Sequence, residues 1–289
     1  MPKRLKIINI FKFIIKKIFN SELDNWKIGI TSKNLKNFNF GNIKFFEPNF
    51  AEYWADPFYV KFKKKEFIFF EKYSYINGKG CISVGELVNS KLINIQDILV
   101  KNYHLSYPFI YKFKKNYYLI PETHENKRLE IYIAVNFPFK WKLFRTALEG
   151  KTLVDPTLIS IKNNLWLFVN ESKNDKRKLN KNLNIYKLDN FLMKNFLPHK
   201  KNPVIQSFLG GRNAGKIEKI NGEIIRPSQI NKSNCYGYGL RISKIKKIGI
   251  DKYEENLIRE IKPKKDSKIK GIHHISIGKD KIVVDCNFK

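Results

Sequence analysis

The stretch Tyr53-Trp54-Ala55-Asp56-Pro57-Phe58 decides the fold, because its Asp-Pro core returns in altered form along the chain. Ala55-Asp56-Pro57-Phe58 is echoed by Ser106-Tyr107-Pro108-Phe109 and by Val154-Asp155-Pro156-Thr157, with the prolines 51 and then 48 residues apart. Each element is followed, 14 to 16 residues after its aspartate or tyrosine, by an acidic residue closing a short apolar run: Phe69-Phe70-Glu71, Pro121-Glu122 and Asn170-Glu171. A period of about 50 residues is the scale of one propeller blade.

Around these elements the chain reads as short turn-bounded strands. The first unit has strands at 58–62, 66–70 and 81–87, the second at 109–113, 117–120 and 129–135, and the third at 157–161, 165–169 and 183–188. A more divergent fourth unit has strands at 213–220 and 223–226 around Asn221-Gly222, a strong hairpin signal, then 238–248. A fifth runs from His273 through Val284, and residues 26–30 and 35–46 read as further short strands. The sequence therefore predicts an all-β, five-bladed β-propeller over residues 23–289, behind a short amphipathic helix over 1–22. A β-sandwich would explain the strands but not the recurrence of Asp-Pro or Tyr-Pro before the same strand of three units. In a propeller the first strand of each blade lines a central channel, so residues far apart in sequence converge at its mouth.

Charge narrows the partners. The chain carries 56 Lys plus Arg against 26 Asp plus Glu, a formal +30. Such a field attracts polyanions and anionic headgroups and steers phosphorylated substrates. The lysines are scattered over most loops rather than gathered on one element with aromatic platforms, so nucleic acid is not the expected partner. Cys81, Cys235 and Cys286 have no CxxC spacing, which points to a reducing compartment without a disulfide framework. In residues 6–20, Ile7, Ile8, Phe11, Ile14, Ile15, Ile18 and Phe19 share one helical face, with Asn9, Lys12, Lys16 and Asn20 opposite. The segment is too short and too charged to span a bilayer, and no small-residue cleavage site follows it. It fits a basic helix lying on an anionic membrane surface through residues 1–20. The protein is thus expected to be cytoplasmic, peripheral on the inner face of the membrane, with docking of the helix on the protein body as the alternative.

Convergence of the inner strands would gather Asp56, Tyr107 and Asp155, and the returning hairpins would bring Glu71, Glu122 and Glu171 to the same mouth. Several carboxylates in one concave site equip it for glycoside chemistry, with one ionised and another kept protonated, and their repulsion raises one pKa. The later units add Arg212 within Gly210-Gly211-Arg212-Asn213-Ala214-Gly215, Arg226-Pro227-Ser228-Gln229, Tyr236-Gly237, and His273. Arginine suits two-point contact with a phosphate or carboxylate, so an acidic or phosphorylated sugar fits this pocket. The plainer reading is that Asp before Pro caps a turn and the arginines pair internally with the carboxylates. The expected catalytic set is Asp56, Asp155 and Glu122. The expected substrate contacts are Glu71, His104, Tyr107, Glu171, Arg212, Arg226, Gln229, Tyr236 and His273. No HExxH and no glycine-rich phosphate loop occurs. No cofactor or catalytic metal is expected, and a structural ion in the channel is allowed for.

Many of these motifs occur together in one family. Trp26-Lys27-Ile28-Gly29-Ile30, Tyr53-Trp54-Ala55-Asp56-Pro57-Phe58, His104-Leu105-Ser106-Tyr107-Pro108-Phe109, Pro121-Glu122-Thr123, Phe137-Pro138-Phe139-Lys140-Trp141, Arg212-Asn213-Ala214-Gly215 and Gly271-Ile272-His273-His274 stand in its order. The chain resembles, over residues 24–288, the propeller domain at the N-terminus of plant glucosamine inositolphosphorylceramide transferases, which also occurs in bacterial proteins of surface-polysaccharide gene clusters. More distantly it is similar to five-bladed glycoside hydrolases and fructosyl-transferring enzymes. That resemblance implies a base or nucleophile at Asp56 and an orienting or pKa-tuning role at Asp155, and it leaves the acid open between Glu122 and Glu171. In the plant proteins a glycosyltransferase domain follows the propeller, whereas this sequence ends at Lys289, so a partner glycosyltransferase is one expectation. Three functions follow. The first is transfer of an activated sugar to a lipid-linked or polysaccharide acceptor in cell-surface polysaccharide or glycolipid biosynthesis. The second is glycoside hydrolysis by the same carboxylates, and the third is non-catalytic glycan binding as a scaffold.

Overall fold

The computed structural model describes residues 6–10, 13–14, 23–32, 34–172, 175–189, 194–232 and 235–289. Within them the chain forms five antiparallel sheets arranged as the blades of a propeller. Blade I contains Glu52–Phe62, Lys65–Ser74, Lys79–Val88 and Lys91–Leu99, and blade II contains Ser106–Phe113, Asn116–Glu122, Leu129–Asn136 and Lys140–Ala147. Blade III is built from Thr152–Ile161, Asn164–Ser172, Asn182–Leu188 and Phe196–Pro198, and blade IV from Leu209–Asn213, Glu223–Lys232, Cys235–Ile248 and Tyr253–Ile261.

Sequence pattern follows position in the blade. Phe67, Ile68, Phe69 and Phe70 in the second strand of blade I are all buried, because that strand is covered by neighbouring blades on both faces. The outermost strand, Lys91–Leu99, exposes most of its residues and carries Lys91, Gln96 and Asp97. A polar outer strand discourages pairing with another chain. The largest apolar cluster joins blades I, II and III through Phe58, Phe69, Tyr107, Phe109, Ile120 and Leu158.

Blade V closes the ring with both ends of the described chain. Ile269–Gly271 and Ile275–Ile277 pair with Ile282–Phe288, which in turn pairs antiparallel with Trp26–Thr31, from Trp26 opposite Asn287 to Thr31 opposite Ile282. The expected strand over 35–46 is reduced to Lys44–Phe45 after a single turn at Phe40–Asn42. The reason is local: the Arg259 guanidinium takes the carbonyls of Leu35, Lys36 and Phe38, which a sheet ladder would otherwise need. Phe38 then packs with Leu240, Ile242 and Ile261.

At the N-terminus residues 6–10 and 13–14 are helical. The remainder of the expected helix over 1–22, including Phe11, Lys12, Ile15, Lys16, Ile18 and Phe19, lies outside the described residues. Phe13 stacks on Tyr75 with ring centres 5.1 Å apart and meets Phe50 edge-on at 5.3 Å. Asn9 Nδ2 donates to the Ile76 carbonyl at 3.2 Å. The face that docks on blade I thus contains Asn9 and Phe13, and Ile7, Ile8, Ile10 and Ile14 are left exposed. Among the described residues no helix is long and apolar enough to cross a membrane.

Candidate active site

The recurrent Asp-Pro and Tyr-Pro elements are β-bulges. In blade I, Ala55 pairs with Glu71 and Phe58 with Phe69, so Asp56 and Pro57 together oppose Phe70. Tyr107-Pro108 and Asp155-Pro156 sit in the same register break of blades II and III. A bulge suits proline because the missing N–H is not asked to join the ladder. The residue before each proline has a left-handed backbone, with φ of 51° at Asp56, 46° at Tyr107 and 52° at Asp155. That conformation costs on the order of 1–3 kcal/mol for a side chain larger than glycine. Bonds between blades offset it. Asp56 N–H donates to Asp285 Oδ2 at 2.9 Å, and Tyr107 N–H donates to Asp56 Oδ2 at 3.1 Å. Each bulge therefore aims its own side chain at the mouth while its backbone is tied to the preceding blade.

The register also explains which glutamates converge. Glu71 opposes Ala55 and Glu122 opposes Ser106, each one residue before the bulge. In blade III the residue opposite Val154 is Asn170, and Glu171 opposes Leu153. A one-residue offset sends the side chain to the other face of the sheet. Glu171 accordingly pairs with Lys151 at 2.9 Å and accepts from Tyr186 and Asn184, apart from the other carboxylates. Asn170 takes the inward place, buried, and its Oδ1 accepts Asn213 N–H at 3.0 Å.

Asp56, Glu71, Glu122, Asp155 and Asp285 are all buried and form one acidic cluster faced by cations and imidazoles. Arg212 makes a two-point contact with Asp155, Nε to Oδ2 at 2.7 Å and Nη2 to Oδ1 at 3.3 Å, and stands 3.5 Å from Glu122. Its third branch donates to Asn180 at 2.7 Å, and its plane lies 5.1 Å from the Tyr236 ring. His124 Nδ1 meets Glu122 Oε1 at 2.7 Å. His273 lies between two carboxylates, Nδ1 2.9 Å from Asp285 and Nε2 3.4 Å from Asp56. His274 Nδ1 stands 3.3 Å from Asp56 Oδ1, within ion-pair reach but off the hydrogen-bond line. Asp285 is more fully engaged, accepting the backbone N–H groups of Asp56, His273 and His274.

An aromatic wall holds His273 in place, with Trp26 at 4.1 Å and Tyr236 at 5.3 Å between ring centres. Gly237 permits this approach: its φ is +63°, and a Cβ there would lie 2.6 Å from that of His273. On the opposite side Tyr53 donates to Glu71 Oε1 at 3.3 Å. His104 accepts Gly80 N–H at Nδ1, so its Nε2 carries the proton and faces Glu71 at 3.6 Å.

These neighbours push the carboxyls apart. Burial presses Asp56 upward, but the His274 contact and the charges of His273, His274 and Arg212 outweigh it and hold Asp56 at about 2. Burial also opposes ionisation of Glu122, and His124 and Arg212 still keep it below the usual carboxylate range. Glu71 has no cation at contact distance. Burial, then the charges of Asp56 and Glu122, drive it well above that range. Asp155 is pressed up by burial to about 8 against the opposing Arg212. A two-point guanidinium contact stabilises the ionised form, so we assign Asp155 as ionised and Glu71 as the holder of the shared proton. Burial opposes the charge on His273, but Asp285 and Asp56 overcome it and raise it to about 9, an imidazolium at neutral pH.

Glu71 yields a stability prediction. Its folded pKa lies above the unfolded value near 4.5, so wild-type stability falls as pH rises from that value toward the folded one. Glu71→Gln carries no such loss. The variant should melt higher than wild type at pH 7–8, by an amount that shrinks toward pH 4.5, in calorimetric scans across pH.

Of the expected site residues, Asp56, Glu71, His104, Tyr107, Glu122, Asp155, Arg212, Tyr236 and His273 stand at one end of the channel. Tyr107 is fully buried, and its hydroxyl pairs with Thr157 at 2.9 Å and with the Gly215 backbone, so it braces the blades from below. Gln229 is buried beside Asn231. Arg226 is fully buried, and its guanidinium is spent on the Gly210 and Gly211 carbonyls and on Glu255, which is internal pairing rather than a ligand-facing position. The pocket also contains His124, His274, Asp285, Tyr53 and Trp26. His124 and His274 were visible beside chosen residues, but Tyr53 and Trp26 reach the pocket only through register and ring closure. Asp56, His273 and Asp285 present ligand-type atoms within 4.8 Å of one another. The Asp285 oxygens there already accept three backbone N–H groups, so the trio reads as a hydrogen-bonded ion-pair network.

A family model described as "Glucosamine inositolphosphorylceramide transferase 1, N-terminal" matches residues 44–279. Proteins named glucosamine inositolphosphorylceramide transferase 1 from Oryza sativa subsp. japonica and Arabidopsis thaliana are 30% and 32% identical over 211 and 209 residues. Those alignments cover 71% of this chain and 28% and 27% of the two relatives, so the chain spans under a third of their length. Among solved structures it is similar to Zg3597, a family 117 glycoside hydrolase of Zobellia galactanivorans, with a TM-score of 0.58, 11% identity and coverage of 92% and 90% of the two chains. It is also similar to the RS223-Beta-xylosidase, with a TM-score of 0.56, 12% identity and coverage of 84% and 95%. At these identities the likeness is one of fold.

Proposed function

The chain belongs to the family of glucosamine inositolphosphorylceramide transferase 1 N-terminal domains, and from that footing we propose that its channel-mouth pocket acts on a sugar. In this reading a glycosyl unit is transferred from an activated donor to a lipid-linked or polysaccharide acceptor in cell-surface polysaccharide or glycolipid assembly. The observation that carries it is the division of the buried carboxyls into Asp56, held ionised at about 2, and Glu71, pushed upward and protonated. Glycosyl chemistry needs that pairing, an acid at the departing oxygen and a fixed negative charge at the anomeric carbon.

A carboxylate at about 2 is a weak base at neutral pH. Asp56 therefore suits attack on, or electrostatic support of, an oxocarbenium-like centre. Glu71 replaces Glu122 as the proton donor in this scheme, since Glu122 is held ionised by His124 and Arg212. Arg212 and Asp155 orient the substrate from the facing blade. Hydrolysis would use the same groups with water as acceptor. One observation favours the non-catalytic reading: Arg212 already pairs with both Asp155 and Glu122, as an internal brace would.

Incubation with nucleotide sugars and a lipid-linked acceptor fraction, read by mass spectrometry, separates the three. A mass increment on the acceptor supports transfer, free sugar supports hydrolysis, and saturable sugar binding without turnover supports the scaffold.

The helical residues that expose Ile7, Ile8, Ile10 and Ile14, together with the lysines of the same segment, support peripheral attachment to the cytoplasmic face of an anionic membrane. Removal of residues 1–22 should weaken sedimentation with anionic vesicles by about tenfold or more. Equal sedimentation of the shortened and full chains would exclude the segment as the anchor.

A further inference from the structure

A second polar cavity lies on the outer side of the propeller, where blades III and IV meet. It has a volume of about 210 Å³ and is lined by His199, Lys201, Val204, Lys247, Lys252, Tyr253 and Glu254. The loop carrying His199 is fixed across the seam. His199 N–H donates to the Ile185 carbonyl at 2.9 Å within blade III, and Lys200 N–H donates to the Ile250 carbonyl at 2.8 Å from blade IV.

Two features of this cavity are unexplained by the fold. The first is charge: three lysines line it against Glu254, which pairs with Lys247 at 2.6 Å. The second is a buried donor. His199 is 2% exposed, and its Nδ1 accepts Lys201 N–H at 3.0 Å, so its proton is on Nε2. That Nε2 is buried without a hydrogen-bond partner. The nearby Lys252 carbonyl already accepts Gly249 N–H at 2.8 Å. An unsatisfied buried donor is destabilising and calls for an acceptor, which an ion can supply.

We propose that this seam is an anion site for a tetrahedral phosphate-type group, with Lys201 and Lys252 supplying charge and His199 Nε2–H a directed donor at the cavity wall. The cavity is large enough for a group the size of several waters. Asp251 and Glu254 are the acidic groups facing it, and both are exposed, so they set the rim rather than fill the floor. The site is separate from the acidic pocket, which repels such an anion. Its ligand is a phosphate monoester in solution or a phosphate headgroup at a membrane, and both present the same oxygens.

The test follows the His199 imidazole nitrogen signals by NMR in the full chain, during titration with inorganic phosphate or with phosphatidate-containing vesicles, at matched ionic strength. The expected result is a saturable shift of the Nε2 signal that weakens at least tenfold in Lys201→Ala/Lys252→Ala. Both substitutions are at exposed positions, so the melting temperature should be unchanged. A shift with phosphate alone identifies a soluble source, and one with vesicles alone identifies a headgroup. No shift in either arm, or a shift that survives the double substitution, overturns the proposal.

Discussion

Asp56→Asn should reduce turnover by on the order of 10³-fold or more, the scale seen when a transition-state charge partner is removed. Asparagine keeps the size of the side chain, and its oxygen can still accept Tyr107 N–H, so the bulge survives. What disappears is the negative charge facing His273 and His274. Asp56 is held at about 2 against a model value of 3.8, so its charge contributes stability above the unfolded pKa that is lost as pH falls through the folded one. At neutral pH the variant should therefore also lose on the order of 2 kcal/mol. Turnover is read on the acceptor by mass spectrometry and stability by urea denaturation. Turnover equal to wild type would remove Asp56 from the chemistry, whatever happened to stability.

The largest structural effect is expected at Asp285, where alanine should cost about 3–5 kcal/mol, the range for stripping one partner from a buried charged network. The carboxylate is fully buried and is the acceptor for three backbone N–H groups and a neighbour of the His273 ring. Alanine orphans all of these at once, and a buried donor without an acceptor costs roughly 1–3 kcal/mol. Folded domains hold only about 5–15 kcal/mol in reserve, so the variant should be marginal or unfolded at ambient temperature. Asp285→Asn retains one acceptor oxygen and should lose less than half as much. A urea midpoint for Asp285→Ala within experimental error of wild type would show that Asp285 does not join blades V and I.

Much of this was legible in the chain because the repeated element combines turn chemistry and site chemistry. Proline after Asp56, Tyr107 and Asp155 marked the bulges, and the spacing to Glu71 and Glu122 carried the hairpin register. Glu171 also carried its own warning: it lies 16 residues after Asp155, whereas Glu71 and Glu122 lie 15 after Asp56 and Tyr107. One extra residue in a period-2 structure changes the face. Arg226 could not be read this way, since the same Arg-Pro strand end serves equally a ligand or a backbone carbonyl, and burial alone decides. The contribution of Trp26 was hidden for a different reason. Pairing between residues 26–31 and 282–288 leaves no local pattern, because each strand would look the same beside any neighbour.

That pairing has a consequence for how the protein is made. Blades I to IV can each form as soon as their own strands have left the ribosome, since their contacts are local. Trp26–Thr31 must wait for Ile282–Phe288, its partner across the seam and the last strand synthesised. Until then Ile28, Ile30 and Val283, later buried together, have no cover. Contacts of such sequence separation fold slowly and leave apolar edges exposed in the interval. Ring closure should thus be the late kinetic step, and the nascent chain with its first strand still unpaired is the form most in need of a chaperone.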